Sequence, residues 1–326
     1  MRTILQLAAA ALATSISLGA SALTLTVGDQ SYNTRAVMDA AGVLDNLPYT
    51  LEWKQFTAGS PVAEALNAGS LDLGLLGDAP PLFLGALGAP IKVIAVTQQN
   101  LGGVAIVVGK HSPIKTVADI RGKRVAIWKG SWSQQLLFAA LDKAGVPRDA
   151  VDIRYLSALD ASHALDGGSV DVIATWEPYV TQQEQQGGRV IATAQGLIPA
   201  QSFVVGNNRS LAEKRAAISD FLQRLKKARE WSVTNPAHND AYADAWAERT
   251  HADRDIARAW FSRAKTDVGP VSPQNIADAQ TTIDFFSGLG LIKSYPAASL
   301  FDTSYNAALQ QPATAQTITA KESPHE

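Results

Sequence analysis

Gly130, Ser131, Trp132 and Ser133 stand between a β-branched alternating stretch, Val125-Ala126-Ile127, and a run with apolar residues at helical spacing, Gln135 to Leu141. The run stops at Gly145, a residue suited to ending a helix. A Gly-Ser turn that opens a helix presents unpaired backbone N–H groups and hydroxyls, and the helix dipole favours an anion in front of them. The same turn also serves as an ordinary cap, with Ser131 or Ser133 satisfying its own helix. Two acids raise the same choice. Asp78 precedes Ala79-Pro80-Pro81 and either caps that helix or faces the space beyond the strand ends. Glu177, in Trp176-Glu177-Pro178-Tyr179, has the same two roles open to it. An acid facing an anion site would suit a zwitterion, whose ammonium it could pair.

The elements that position these groups alternate. Leu23–Gly28 reads as a strand, followed by the polar turn Asp29-Gln30-Ser31-Tyr32 and a helix around 35–41. Leu51–Phe56 is a second strand; Ser60 caps the next helix with Pro61 at its first position, and that helix ends at Gly69. Leu71–Gly77 and Ile91–Val96 supply two more strands. Strand, polar turn and helix repeated in this way predict a doubly wound, mostly parallel sheet, which binds ligands beyond the carboxyl ends of its strands. Gly102-Gly103 breaks the pattern, and 104–203 reads as a second, smaller α/β lobe inserted in the first. Lobe 1 is then 23–103 with 204–311, and the two crossing strands near 102–104 and 202–204 form a hinge. From Leu211 the chain reads as helical, with one long helix at 211–233 and another segment at 297–309. Residues 312–326 read as a disordered tail, and no internal repeat is visible.

At 326 residues the chain has ample core, and 46% hydrophobic with 18% charged residues is an ordinary globular composition. Arg2, the apolar stretch from Ile4 to Leu18 and Ala20-Ser21-Ala22 form a Sec-type signal peptide with cleavage after Ala22. The chain is expected to be exported, and the resemblance set out below implies the periplasm as its compartment. There is no cysteine, hence neither a lipid-modified cysteine nor a disulfide. Residues 1–22 contain one basic and no acidic residue, so removing them takes the formal charge from −2 to −3. Nucleic acid is therefore not an expected partner.

The segments 69–73 (Gly-Ser-Leu-Asp-Leu), 77–83 (Gly-Asp-Ala-Pro-Pro-Leu-Phe), 111–123, 129–131 (Lys-Gly-Ser), 168–171 (Gly-Ser-Val-Asp) and 176–179 stand in an order that resembles the nitrate/sulfonate/taurine family of periplasmic ABC-transporter binding proteins. The similarity is greatest to the aliphatic sulfonate-binding members, specific over about 23–206 and weak in the helical remainder. It implies a type II two-lobed fold and a ligand clamped between the lobes. The implied contacts are Gln30, Gly77, Asp78 and Ala79 from one lobe, Ser131, Trp132, Ser133, Trp176 and Glu177 from the other, and Ser202 near the crossover. Backbone N–H groups and hydroxyls would hold a sulfonate without a lysine or arginine, and Trp132 and Trp176 would wall its alkyl part. Lys129 reads as a solvated lysine beside the turn. Where those relatives carry small polar residues and a histidine, this chain has Trp132-Ser133-Gln134, which narrows or re-lines the pocket.

The implied function is a monomeric receptor that delivers an alkanesulfonate or taurine to a membrane permease with its ATPase subunit. Nitrate or a sulfate ester is the alternative ligand. A sensor subunit, or an enzyme of the same fold related to thiamine-precursor synthesis, is the alternative class. Against an enzyme stand the missing cysteine and the absence of a Gly-x-Ser-x-Gly elbow. The five histidines make no metal-ligand spacing and read as solvated, so neither metal nor cofactor is expected.

Overall fold

The computed structural model describes residues 23–310. The signal-peptide reading of 1–22 and the tail at 312–326 lie outside the described residues. The chain opens with β1 (Thr24–Gln30), α1 (Asn33–Ala40), β2 (Thr50–Phe56), α2 (Gly59–Asn67), β3 (Leu73–Gly77), α3 (Ala79–Ala86) and β4 (Ile91–Gln98). It continues through β5 (Val104–Val108), β6 (Arg124–Ile127), α4 (Trp132–Lys143), β7 (Asp152–Tyr155), α5 (Ala158–Asp166), β8 (Val172–Trp176), α6 (Tyr179–Gln185) and β9 (Arg189–Thr193). After β10 (Ser202–Asn207) come α7 (Asn208–Glu213), α8 (Arg215–Thr234), α9 (Pro236–Thr250), α10 (Arg254–Ala264), β11 (Asp267–Gly269), α11 (Pro273–Gly288) and α12 (Asn306–Gln310).

These strands make two sheets, in the orders β2-β1-β3-β10-β4-β11 and β7-β6-β8-β5-β9. β1 to β4 run one way in the first sheet, and β6 to β9 run one way in the second. The strands that carry the chain between the sheets, β10 and β5, run against their neighbours. Mostly parallel direction therefore coexists with a mixed set of neighbour pairs, because each crossing strand enters its sheet from the far end. We keep the lobe boundaries read from the sequence, 23–103 with 204–311 and 104–203, as a proposal.

The first five positions of the two strand orders correspond, with β11 added at the edge of the first sheet, and only one short motif of the sequence repeats with them. One side-chain device recurs at equivalent places. Asp72, just before β3, accepts the Thr26 N–H of β1 at 2.7 Å; Asp171, just before β8, accepts the Arg124 N–H of β6 at 2.9 Å. In both lobes a Gly-Ser-x-Asp segment (69–72 and 168–171) turns the chain and docks a carboxylate on the first strand, and Gly69 and Gly168 supply the positive φ of the turn.

Four expectations need correction. α2 begins at Gly59 with Ala58 as its cap residue, so Ser60 and Pro61 lie inside its first turn and Ser60 is not the cap. The helix expected over 211–233 is two, α7 and α8, broken at Lys214, whose ammonium reaches back to the Thr24 carbonyl and Asp72, both at 2.7 Å. The stretch 297–309 is two short 3-10 turns and α12, because Phe301 leaves the helical path to bridge Val93. The helical remainder also holds a strand, β11, pairing with the edge of β4. The solvated reading of the histidines holds for His111, His163 and His251; His238 is half-buried, stacked on Trp231 at 4.3 Å, and His325 lies outside the described residues.

Candidate functional site

The carboxyl ends of both sheets face a shared cavity of about 150 Å3. From the first sheet come the ends of β1, β3 and β4, the start of β10 and the first turns of α1, α2 and α3; from the second come the β6–α4 turn and the end of β8. The shape follows from the topology, since polar turns at the carboxyl ends of parallel strands are the places where a doubly wound sheet meets a ligand.

Eight of the ten residues expected at the site line this cavity: Gln30, Gly77, Ala79, Ser131, Trp132, Trp176, Glu177 and Ser202. Asp78 and Ser133 are fully buried and stand outside the lining. Ser133 is consumed locally: its hydroxyl accepts the Trp128 N–H at 2.8 Å. Ser131 caps α4 by accepting the Ser133 N–H at 3.2 Å and gives its own proton to the Trp128 carbonyl at 2.7 Å. The capping reading of the turn is therefore correct for its hydroxyls; the Gly130 N–H is taken by the Gln134 side-chain oxygen at 2.7 Å, and Ser131 and Trp132 bring the amino end of α4 to the cavity. Gly130 holds φ +69°, which calls for glycine, and a Cβ there would also press on the Phe83 ring of α3 at 3.2 Å.

Neither acid behaves as a plain cap. Asp78 accepts the Trp132 indole N–H at 2.6 Å, from the other sheet's side, and lies 3.4 Å from the Thr282 hydroxyl of α11. Burial pushes its carboxyl up to about 7, against hydrogen bonds that pull it down. Glu177 accepts both the N–H and the hydroxyl of Thr181 at 3.0 Å, satisfying a donor in the first turn of α6 although Pro178 is the cap residue, and it accepts from the Arg263 guanidinium at 2.9 Å. Burial raises its carboxyl as well. Arg263, on α10, also pairs with Glu184 on α6. Trp132–Asp78 and Arg263–Glu177 thus tie the surroundings of the two sheets together.

The Asp78 shift carries a sign. Its ordinary value is 3.8 and its folded value about 7, so folding favours the protonated form. The stability that Asp78 contributes is complete below about pH 4 and is lost as pH rises towards 7. Compared with Asp78→Asn, the native chain should lose stability over that window by up to about 1.4 kcal/mol per pH unit, with parallel curves above it. Denaturant titrations of both chains at each pH unit from 4 to 8 measure this; a difference independent of pH would show that Asp78 titrates near its ordinary value.

Three lining residues escaped the sequence reading and change the chemistry. Trp128 and Trp260 add indoles to those of Trp132 and Trp176. Trp176 lies 6.3 Å from Trp128 and 6.4 Å from Trp132 between ring centroids. Arg229, in the middle of α8, is 4% exposed, and its guanidinium donates to the Tyr242 hydroxyl at 2.9 Å and the Asn33 side-chain oxygen at 2.6 Å. Those bonds use two of five N–H donors and fix the fork at the cavity wall. The nearby Asp29 carboxylate is turned onto the N–H groups of Thr34 and Arg35 at 3.1 and 3.0 Å. An anion site built without a cationic side chain, as expected from the sequence, therefore omits the buried arginine. Lys129 is exposed and borders a separate groove of about 560 Å3 that shares Ser60, Pro80 and Gly130 with the cavity.

With four indoles, one guanidinium and a helix N-terminus, the cavity can hold a small anion with an apolar part. Every acid on its wall is already engaged.

Residues 50–239 match the family described as NMT1/THI5 like. A protein of Escherichia coli (strain K12), named as an aliphatic sulfonates-binding protein, is 33% identical over 88% of this chain and 92% of its own length. The taurine-binding periplasmic protein of the same organism is 27% identical over 74% of this chain and 75% of its own. The solved alkanesulfonate-binding protein SsuA from Xanthomonas axonopodis pv. citri, bound to MOPS, superposes with a TM-score of 0.78 at 28% identity, covering 87% of this chain and 99% of that one.

Proposed function

Because the chain belongs to the NMT1/THI5-like family, we propose that it is the periplasmic solute-binding receptor of an ABC importer and binds an organosulfonate in the cavity between its sheets. Its relatives are named for sulfonate and taurine binding, and it acts as a binding protein rather than an enzyme. The observation that carries the ligand class is the pairing of Arg229 with the amino end of α4 across a cavity walled by indoles. A sulfonate spreads one charge over three oxygens, which suits a fork of N–H donors and a helix terminus. An alkyl group then displaces water from Trp128, Trp132, Trp176 and Trp260.

An unsubstituted short alkanesulfonate fits better than taurine. The two lining carboxylates are engaged, Asp29 by backbone N–H groups and Glu177 by Arg263, and Asp78 behind the wall is held by Trp132, so none is left for an ammonium. Because the walls come from both sheets, the ligand stabilises the closed arrangement over an open one, and that closed shape is what docks on a permease with its ATPase subunit. The working form is a monomer and takes no nucleic acid. Export rests on the signal segment with cleavage after Ala22; among the described residues no helix is long and apolar enough to cross a membrane.

A thermal-shift panel on the chain from Leu23 tests this reading. Saturation at 100 times the dissociation constant adds about 2.7 kcal/mol of stability. Methane-, ethane- and propanesulfonate should raise the melting temperature, taurine less so, and sulfate and nitrate not at all. A response to nitrate or sulfate alone, or to none of the panel, would overturn the sulfonate assignment.

A further inference from the structure

Trp132 occupies an unusual position. It is the first residue of α4, yet its indole reaches away from its own sheet and lies on the first lobe. A Cβ at Gly77 would stand only 3.0 Å from its Cζ2, so the ring rests on the bare backbone at the end of β3. Its other side meets Trp176 edge-on, at 85°. Its N–H is fixed at 2.6 Å by the carboxylate of Asp78, a residue with no exposed surface. Ring, floor and acceptor come from both lobes, so the indole has one place to be when they meet.

We infer that Trp132, held in place by Asp78, sets the length limit of the ligand, and that Asp78 is a positioning residue acting through the indole. This rests on the sulfonate reading above. The size of the space supports it. The cavity holds about 150 Å3, roughly the volume that takes one benzene in an engineered protein cavity. A sulfonate head of four heavy atoms leaves room for roughly two to four carbons. Freed from Asp78, or shortened, the residue at 132 no longer closes the space between Gly77 and Trp176, and a longer chain enters. The competing route for a long chain is past Ser60, Pro80 and Gly130 into the neighbouring groove of about 560 Å3.

Calorimetric titration with linear alkanesulfonates from one to eight carbons distinguishes these. In the native chain, affinity should rise by about fourfold per methylene until the cavity is full. It should then fall, leaving octanesulfonate at least tenfold weaker than propanesulfonate. In Trp132→Ala the octane-to-propane ratio should move at least tenfold towards octane. Trp132→Phe and Asp78→Leu, which each delete one half of the hydrogen bond, should move it the same way by less. Asp78→Asn, which keeps an acceptor oxygen, should restore the native ratio, a rescue that a merely structural role for Asp78 would not produce. Native binding of octanesulfonate as tightly as propanesulfonate, or a ratio unmoved by both Trp132 variants, would overturn the inference while leaving the sulfonate reading intact. Failure of the native chain to bind any member of the series would overturn both.

Discussion

Replacing Arg229 by methionine is expected to abolish high-affinity binding, raising the dissociation constant for a short alkanesulfonate at least 30-fold. Arg229 is the one basic side chain on the wall of the cavity and is almost fully buried. Water therefore screens its charge poorly, and a bound anion loses little of the attraction to solvent. Removing one partner of a desolvated, hydrogen-bonded charge pair costs about 2–5 kcal/mol, each 1.4 kcal/mol being tenfold in affinity. Methionine keeps much of the buried length of the side chain, so α8 still packs; it loses the links to Asn33 and Tyr242. Arg229→Lys separates charge from geometry. It keeps the cation but not the planar fork, and should recover only part of the loss. Titration calorimetry gives the affinities and near-ultraviolet circular dichroism the fold. Unchanged affinity in a folded Arg229→Met chain would move the anion away from α8.

The largest effect on stability is expected at Asp72, where alanine should cost about 3 kcal/mol and lower the melting temperature by roughly 5–10 °C. Its carboxylate, 7% exposed as a residue, accepts from the Thr26 N–H, the Ser210 hydroxyl and the Lys214 ammonium. Strand β1, helix α7 and the start of α8 therefore meet on one side chain. Alanine takes the acceptor from the Thr26 N–H and the Ser210 hydroxyl and leaves the Lys214 ammonium with the Thr24 carbonyl but without the carboxylate. The equivalent change in the second lobe, Asp171→Ala, should cost less, about 1–2 kcal/mol, because the Asp171–Arg124 pair is 31% and 42% exposed and water can replace it. Burial pulls against that pairing too, yet the guanidinium still holds the Asp171 carboxyl below its ordinary value. Equal losses at the two positions, measured by urea unfolding, would show that burial is not what separates them.

The contrast between what could and could not be read from the sequence follows the range of the interactions. The β6–α4 turn was legible because its signals are local: β-branched alternation, a Gly-Ser turn, apolar residues at helical spacing and Gly145 at φ +64°. Gln30, Gly77, Ala79, Trp176 and Ser202 came from the family resemblance, which points to the ends of the strands; four of them stand at strand termini and Ala79 opens α3 just beyond β3. Asp78 was legible as a special residue but not in its role, because its partner Trp132 lies 54 positions away. Arg229 gave a signal that went unused. It falls on the buried stripe of α8 with Ile218, Leu222 and Leu225, at spacings of four, three and four. An arginine on an apolar stripe has to meet a buried partner or a ligand. The break at Lys214 and the bend at Phe301 left no local trace, since each is caused by a contact with β1, Asp72 or β4 elsewhere in the chain. β11 spans three residues, too few for any period to show.

A crystal structure of the chain from Leu23 with ethanesulfonate tests the central claim most directly. The sulfonate should lie between the sheets, with its oxygens within about 3.2 Å of the Arg229 guanidinium and of backbone N–H groups at the amino end of α4. Its ethyl group should rest against the indoles of Trp132 and Trp176. A sulfonate bound in the groove beside Lys129, or at any place without contact to Arg229, would contradict the claim.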